Sequence, residues 1–263
     1  EMLRNIGKGI TYDMKGKKVC IVGGGNVAMD ATRTSLRLGA EQVNCVYRRR
    51  VDDMTALSEE IEEAQAEGAN ILTLKAPAWI ETDDEGKVAA LWVYPQISSN
   101  IGWDGRPKVK NAKADPIRIP CDYVVIAIGQ AIGSDYFAKK GIVLDRDRIT
   151  AESSSFVPDS GNMFAGGDAV SGPATVIKAV AAGKVAADNI DDFLGFDHEI
   201  TVDIDIPDPQ LSNTPACGRV NLTPVHLDNI KGNFDLVSNG MSEAEALQEC
   251  GRCLRCDHFG LGV

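Results

Sequence analysis

The stretch Val19-Cys20-Ile21-Val22-Gly23-Gly24-Gly25-Asn26-Val27-Ala28-Met29-Asp30 decides the fold of this chain. Lys18 to Val22 is a short apolar run suited to a buried parallel strand, and it stops at three glycines. Gly23 and Gly25 occupy the first two places of a G-x-G-x-x-G/A fingerprint, and Ala28 takes the third. The first glycine permits a tight turn, the second lets the backbone approach a pyrophosphate, and the small third residue lets helix and strand pack closely. From Asn26 to Leu38 the apolar residues recur at helical spacing, and Gly39 ends the run. The helix N-terminus, at Asn26 and Val27, is therefore expected to face the phosphates of a nucleotide.

A second strand, Gln42 to Tyr47, should end beside the adenosine ribose. Sites selective for NAD place an Asp or Glu there, whereas this chain offers Arg48, Arg49 and Arg50. A guanidinium can grip a 2′-phosphate in a bidentate fork, so the pattern favours NADP(H) over NAD(H). The candidate cofactor contacts are Gly23, Gly24, Gly25, Asn26, Val27, Ala28, Arg48 and Arg49. The competing reading is a glycine-rich turn in an ordinary α/β domain beside a solvated basic cluster.

Beyond this frame, Leu57 to Glu67 reads as an acidic amphipathic helix ended by Gly68, and Asn70 to Leu74 as the next strand. Ala78 to Thr82 and Lys87 to Tyr94 flank the turn Asp83-Asp84-Glu85-Gly86, as in an antiparallel hairpin. Residues 98–113 are polar and read as a loop or a frayed hairpin. A buried strand from Cys121 runs into Gly129, which belongs at the nucleotide crevice of a parallel sheet. Thr175 to Leu194 reads as a long helix, and 203–209 as an acidic linker. Ser242-Glu243-Ala244-Glu245 is a capping box that should start a final helix.

Composition narrows the functions available. The chain has 263 residues, enough for one large or two smaller domains, and its net charge of -11 argues against nucleic acid or an anionic membrane as partner. No apolar run approaches the ~20 residues of a membrane span, and no signal-like segment opens the chain, so a cytoplasmic location is the expectation. Seven cysteines, an odd number, point to reduced thiols or metal ligands. Cys20, Cys45 and Cys121 fall in or beside predicted strands and read as buried small hydrophobes.

Near the end stands Cys250-Gly251-Arg252-Cys253-Leu254-Arg255-Cys256, two overlapping C-x-x-C units. Three thiolates at this spacing suit an iron–sulfur cluster, with Cys217, an upstream residue or another subunit as fourth ligand. Zinc and unligated thiols are the alternatives.

Taken together, Gly23 to Ala31, Tyr47 to Arg50, Phe164-Ala165-Gly166-Gly167-Asp168-Ala169 and Ala174 to Lys184 resemble the glutamate synthase small-subunit family of FAD-dependent NAD(P)H oxidoreductases. The resemblance covers about residues 1–195. It implies a Rossmann-like α/β domain with a central parallel sheet and an antiparallel hairpin insertion over 1–135. It further implies the closing half of an FAD domain over 136–196 and a cysteine-containing extension over 197–263. It also implies that Gly167 and Asp168 contact FAD, Asp168 at its ribityl or pyrophosphate part, and that the backbone at Thr175 and Val176 faces the flavin pyrimidine edge. The alternative for Asp168 is a purely local cap.

The family's first FAD half carries its own glycine fingerprint, and this chain shows no second one. The expectation is thus a piece of a longer flavoprotein, partnered by its N-terminal remainder and by a large redox subunit. Such a piece would bind NADP(H) and hold FAD weakly or not at all. Hydride transfer to flavin asks for position and electrostatics, so no acid or base is expected among the side chains. The rival functions are an NADP(H)-binding module without redox activity and an iron–sulfur relay.

Overall fold

The computed structural model describes residues 1–102, 105–198, 217–223 and 225–253. The chain divides into two compact units, Glu1–Ile128 with Pro209–Val263, and Gly129–Asp208. In the first unit the elements run α1 (Met2–Gly7), β1 (Lys18–Val22), α2 (Asn26–Arg37), β2 (Gln42–Val46), a 3-10 turn (Val51–Asp53), α3 (Ser58–Ala66) and β3 (Asn70–Leu72). They continue as β4 (Lys75–Thr82), β5 (Val88–Ile101), β6 (Pro107–Asn111), β7 (Ile117–Pro120) and β8 (Tyr123–Ile126). The second unit carries α4 (Asp135–Lys139), β9 (Leu144–Asp145), β10 (Arg148–Ile149), α5 (Asp168–Ser171) and α6 (Val176–Phe193). Past it come α7 (Leu227–Ile230) and α8 (Glu243–Gly251), which return to the first unit.

The parallel sheet has the order β3-β2-β1-β8. Its central strand, β1, is buried from Val19 to Val22 because both faces are covered, which is why it is a continuous apolar run and not an alternating one. Val19, Ile21, Val43 and Cys45 face Ala28, Met29 and Ala31 of α2 and Ile61 and Ala64 of α3. Cys20, Val22 and Val46 face the other way, onto Leu91, Val93, Ile119 and Cys121 of the antiparallel layer. Each Val, Leu, Ile or Met among them removed from water contributes about 1.5–3 kcal/mol before ordering costs, and each Ala less. Two hydroxyls buried in α2 are satisfied within the helix, Thr32 Oγ1 donating to the Ala28 carbonyl and Ser35 Oγ to that of Ala31, both at 2.7 Å.

α2 and α3 are also tied by ions. Arg33 pairs with Glu60, Glu63 and Glu67, and Arg37 with Glu67, whose side chain is only 7% exposed. The acidic helix read from sequence thus owes part of its charge to two arginines one turn apart on its neighbour.

The antiparallel layer is longer than its sequence suggests. β5 runs through to Ile101, pairing with β4 and β7 along its first half and with β6 along its second. Of residues 98–113, expected as a loop or frayed hairpin, 98–101 and 107–111 form the paired arms of an antiparallel hairpin. Gln96 locks its start: Nε2 donates to Asn111 Oδ1 at 2.8 Å across the strands. On β4 and β5 the partners Trp79 and Trp92 stack at 5.1 Å, and Trp92 Nε1 donates to Glu81.

In the last stretch, Ile230 is buried and shares a cleft with Leu36, Ala40 and Gly68. The predicted capping box forms: Ser242 Oγ accepts from Glu245 N, and Glu245 Oε2 accepts from Ser242 N. The expected linker at 203–209 lies outside the described residues. Among the described residues no helix is long and apolar enough to cross a membrane.

Candidate functional site

The glycine turn is shaped by close approach at two of its positions. A Cβ on Gly23 would overlap the Ala127 carbonyl, and one on Gly24 would stand 2.5 Å from Tyr47 Cδ2 and Cε2. Gly25 is the N-cap of α2 in an extended conformation, so no side chain caps the helix, and its first turn carries no acid. An α-helix leaves its first N–H groups without intrahelical partners. Here Asn26 and Val27 head that first turn, and Val27 is 60% exposed. The turn thus opens a helix N-terminus to solvent at the carboxyl end of a parallel strand, an arrangement that suits a phosphate. Ala28, the small third residue, is fully buried between helix and sheet. Asn26 has a local duty as well, because its Oδ1 accepts from Leu57 N at 3.0 Å.

The segment after β2 wraps back over this turn. The Tyr47 hydroxyl donates to the Asp53 carbonyl at 2.7 Å, and the Gly24 carbonyl accepts from Thr55 N at 2.9 Å and Ala56 N at 3.1 Å. Tyr47 belongs to the Tyr47 to Arg50 stretch of the resemblance, whereas Asp53 and Thr55 stand outside every motif read from the sequence. The spacing of Arg50 and Asp53, three residues apart, was the available signal.

The three arginines are not equivalent. Arg50 is committed to Asp53, with Nε and Nη2 donating to its carboxylate at 3.1 and 3.2 Å. That hydrogen-bonded guanidinium holds the Asp53 carboxyl below the usual carboxylate range. Arg48 is exposed, and Arg49 is half-buried with its Nε shielded and lacking a hydrogen-bond partner among the described residues. A buried donor of that kind is costly and calls for an acceptor.

Three thiols behave as core. Cys20, Cys45 and Cys121 are buried; desolvation pushes Cys45 up to about 11, and Cys20 is raised by its hydrogen bond with Cys121 and by burial. Cys217, Cys250 and Cys253 are exposed, the latter two on and just past α8. Gln248 Nε2 donates to the Gly218 carbonyl at 2.8 Å, and Val220 N donates to Glu249, so the segment after Cys217 runs alongside α8. Among the described residues no three His, Cys, Asp or Glu side chains are gathered as a metal site. Cys256 lies outside the described residues.

In the second unit, Gly129 has φ +107°, a conformation that favours glycine. Gly167, φ +64°, is the N-cap of α5, and Gly166 lies so close to α6 that a Cβ would meet that of Ala182 at 3.2 Å. Asp168 Oδ1 accepts from Ala174 N at 3.2 Å, a local contact that ties α5 to the loop before α6. Thr175 caps α6 by accepting from Lys178 N, and Val176, next in line, is 79% exposed.

The family model described as pyridine nucleotide-disulphide oxidoreductase matches residues 7–183. The beta subunit of the NADP(+)-dependent formate dehydrogenase of Moorella thermoacetica is 31% identical over 100% of this chain and 39% of its own length. The glutamate synthase [NADPH] small chain of Escherichia coli (strain K12) is 34% identical over 69% of this chain and 39% of its own. The chain therefore spans about two fifths of the length of these relatives. Among solved structures, the Mycobacterium tuberculosis oxidoreductase FprA superposes with a TM-score of 0.57 at 18% identity, covering 72% of this chain and 55% of that one. The fold is that of the pyridine nucleotide-disulphide oxidoreductases, α/β with a parallel sheet and an antiparallel layer.

Proposed function

This chain belongs to the pyridine nucleotide-disulphide oxidoreductase family, and from that premise we propose that it is the NADPH-docking and flavin-closing part of a flavoprotein oxidoreductase. The observation that carries the reading is Arg49, a half-buried arginine whose Nε has no acceptor among the described residues, two residues past the tyrosine that packs on the glycine turn. An anionic oxygen from a 2′-phosphate supplies what that nitrogen lacks, and exposed Arg48 adds a second positive charge. The pyrophosphate fits over Gly25 and the uncapped start of α2.

The roles then follow the proposed domains, with 1–135 binding NADP(H), 136–196 closing an FAD domain and 197–263 forming the extension. A flavin held there would supply two-electron and one-electron redox chemistry. This chain's residues hold and orient. Gly23, Gly24, Gly25, Asn26, Val27 and Ala28 form the phosphate cradle, Arg48 and Arg49 read the ribose phosphate, and Gly129 follows the strand that ends at the crevice. Gly167 and Asp168 shape the FAD turn, and the exposed first turn of α6, at Thr175 and Val176, offers N–H groups and dipole to the electron-rich edge of a reduced flavin.

The extension fits a soft metal by its donor set, thiolates at Cys250, Cys253 and Cys256, with Cys217 held on a segment beside α8. We assign these cysteines to an iron–sulfur centre, which would supply one-electron transfer there. The names of the two relatives, a beta subunit and a small chain, support a larger redox partner and the N-terminal remainder of the same flavoprotein as companions.

The test is the double variant Arg48→Ala, Arg49→Ala. Loss of two charge-assisted contacts should lower the NADP+ to NAD+ affinity ratio by about tenfold or more. An unchanged ratio refutes the 2′-phosphate assignment.

A further inference from the structure

The third arginine has a partner that the phosphate-binding reading leaves unexplained. Asp53 is buried at the end of the 3-10 turn, with 7% of its side chain exposed. Three donors of Arg50 converge on it: the backbone N at 3.3 Å, Nε at 3.1 Å and Nη2 at 3.2 Å. Its own backbone closes the circuit, N donating to the Arg50 carbonyl and O accepting from the Tyr47 hydroxyl. Residues 47 to 53 are thus a ring fastened at both ends. The strand side is fixed as well, because Leu74 N donates to the Arg49 carbonyl and Lys75 N to that of Tyr47.

We infer that Asp53 is the positioning residue for recognition of the ribose 2′-phosphate, an inference that rests on the Arg48 and Arg49 reading above. Three adjacent arginines repel one another, and a long flexible side chain loses much rotamer freedom when it grips a ligand. By engaging Arg50, Asp53 removes one of the three charges from the contest and turns that side chain away. By closing the ring through Tyr47, it fixes the backbone from which Arg48 and Arg49 project. The two remaining guanidiniums are then pre-organised for one phosphate. The opposite expectation comes from the usual place of an acid near this strand end, where it accepts from the ribose 2′-OH of NAD. Here the Asp53 carboxylate is already occupied by its own neighbour.

The test uses the full chain and equilibrium binding of three probes: NADP+, NAD+ and adenosine 2′,5′-bisphosphate. Asp53→Asn is expected to weaken NADP+ and the bisphosphate by about tenfold while NAD+ changes by less than about twofold. Asp53→Glu should restore most of the loss. Arg50→Gln, which breaks the same pair from its exposed side, should reproduce the Asp53→Asn pattern, and the double variant should be no weaker than either single one. Unchanged or tighter NADP+ binding in Asp53→Asn overturns the inference, since a freed Arg50 would then be helping. A parallel loss of NAD+ overturns it too, making Asp53 a ribose ligand or a general fold element. Failure of both Asp53→Asn and Arg50→Gln to fold counts as the latter outcome. If Arg48→Ala, Arg49→Ala leaves the NADP+ to NAD+ ratio unchanged, the underlying reading fails. If that variant shifts the ratio and Asp53→Asn does not, only this inference fails.

Discussion

The ring of Tyr47 packs on Gly24 so closely that a Cβ there would stand 2.5 Å from Cδ2 and Cε2. The middle glycine of the turn, which the fingerprint leaves free, is therefore demanded by a side chain at the end of the neighbouring strand. Gly24→Ala should push Tyr47 off the turn and strain the contacts of the Gly24 carbonyl with Thr55 and Ala56. The expected cost is about 1–3 kcal/mol of stability, in the range of overpacked cores, with weakened NADP+ binding. Thermal unfolding and NADP+ titration of the same sample check both, and a variant indistinguishable from the parent would show that the ring moves freely.

Acid should loosen the antiparallel layer at Glu81. Hydrogen bonds from Arg118 and Trp92 hold its carboxyl at about 2, below the ordinary 4.5. A depressed carboxylate contributes stability that is present above pH 4.5 and is lost as pH falls toward 2. Trp92 donates to the same carboxylate, so tryptophan emission should report the transition. Glu81→Gln should flatten that part of the acid titration, and an identical curve would sever the link.

Asp168→Ala, made in the proposed longer flavoprotein, should purify with less FAD than its parent. The Oδ1 contact with Ala174 N is local, so Asp168→Asn, which keeps an acceptor, separates the turn's shape from the charge. Full FAD retention in both variants would leave Asp168 as a cap alone.

The terminal thiols have a chemical readout. The full chain prepared without oxygen should contain iron and acid-labile sulfide, and Cys250→Ser with Cys253→Ser should lower both together. Zinc in stoichiometric amount without iron would assign the site to zinc.

Packing in the extension is testable at Ile230. It is 4% exposed, in a cleft with Leu36, Ala40 and Gly68. Ile230→Ala should cost about 2–5 kcal/mol if the extension unfolds with its unit, and less if it detaches by itself. Limited proteolysis distinguishes the cases, the second giving early cleavage near α7 with the rest of the unit intact.

Much of the nucleotide frame is legible in one dimension because its signals are local. The apolar run of β1, the helical spacing after Asn26 and the place of Ser242 in a capping box each depend on residues a few positions apart. The far half of β5 was not legible, since residues 98–101 are polar or exposed and owe their conformation to cross-strand partners on β6.

By itself the sequence determined that a strand, a glycine turn, a helix and a second strand arrive in order, followed by arginines, because backbone geometry and periodicity act over short range. Only the tertiary structure decided which arginine is free. Arg50 is taken up by Asp53, Arg49 keeps a buried Nε with no partner among the described residues, and Arg48 stays exposed. Three identical residues in a row carry no such distinction in one dimension; it comes from desolvation and from which acceptor the folded chain brings within reach.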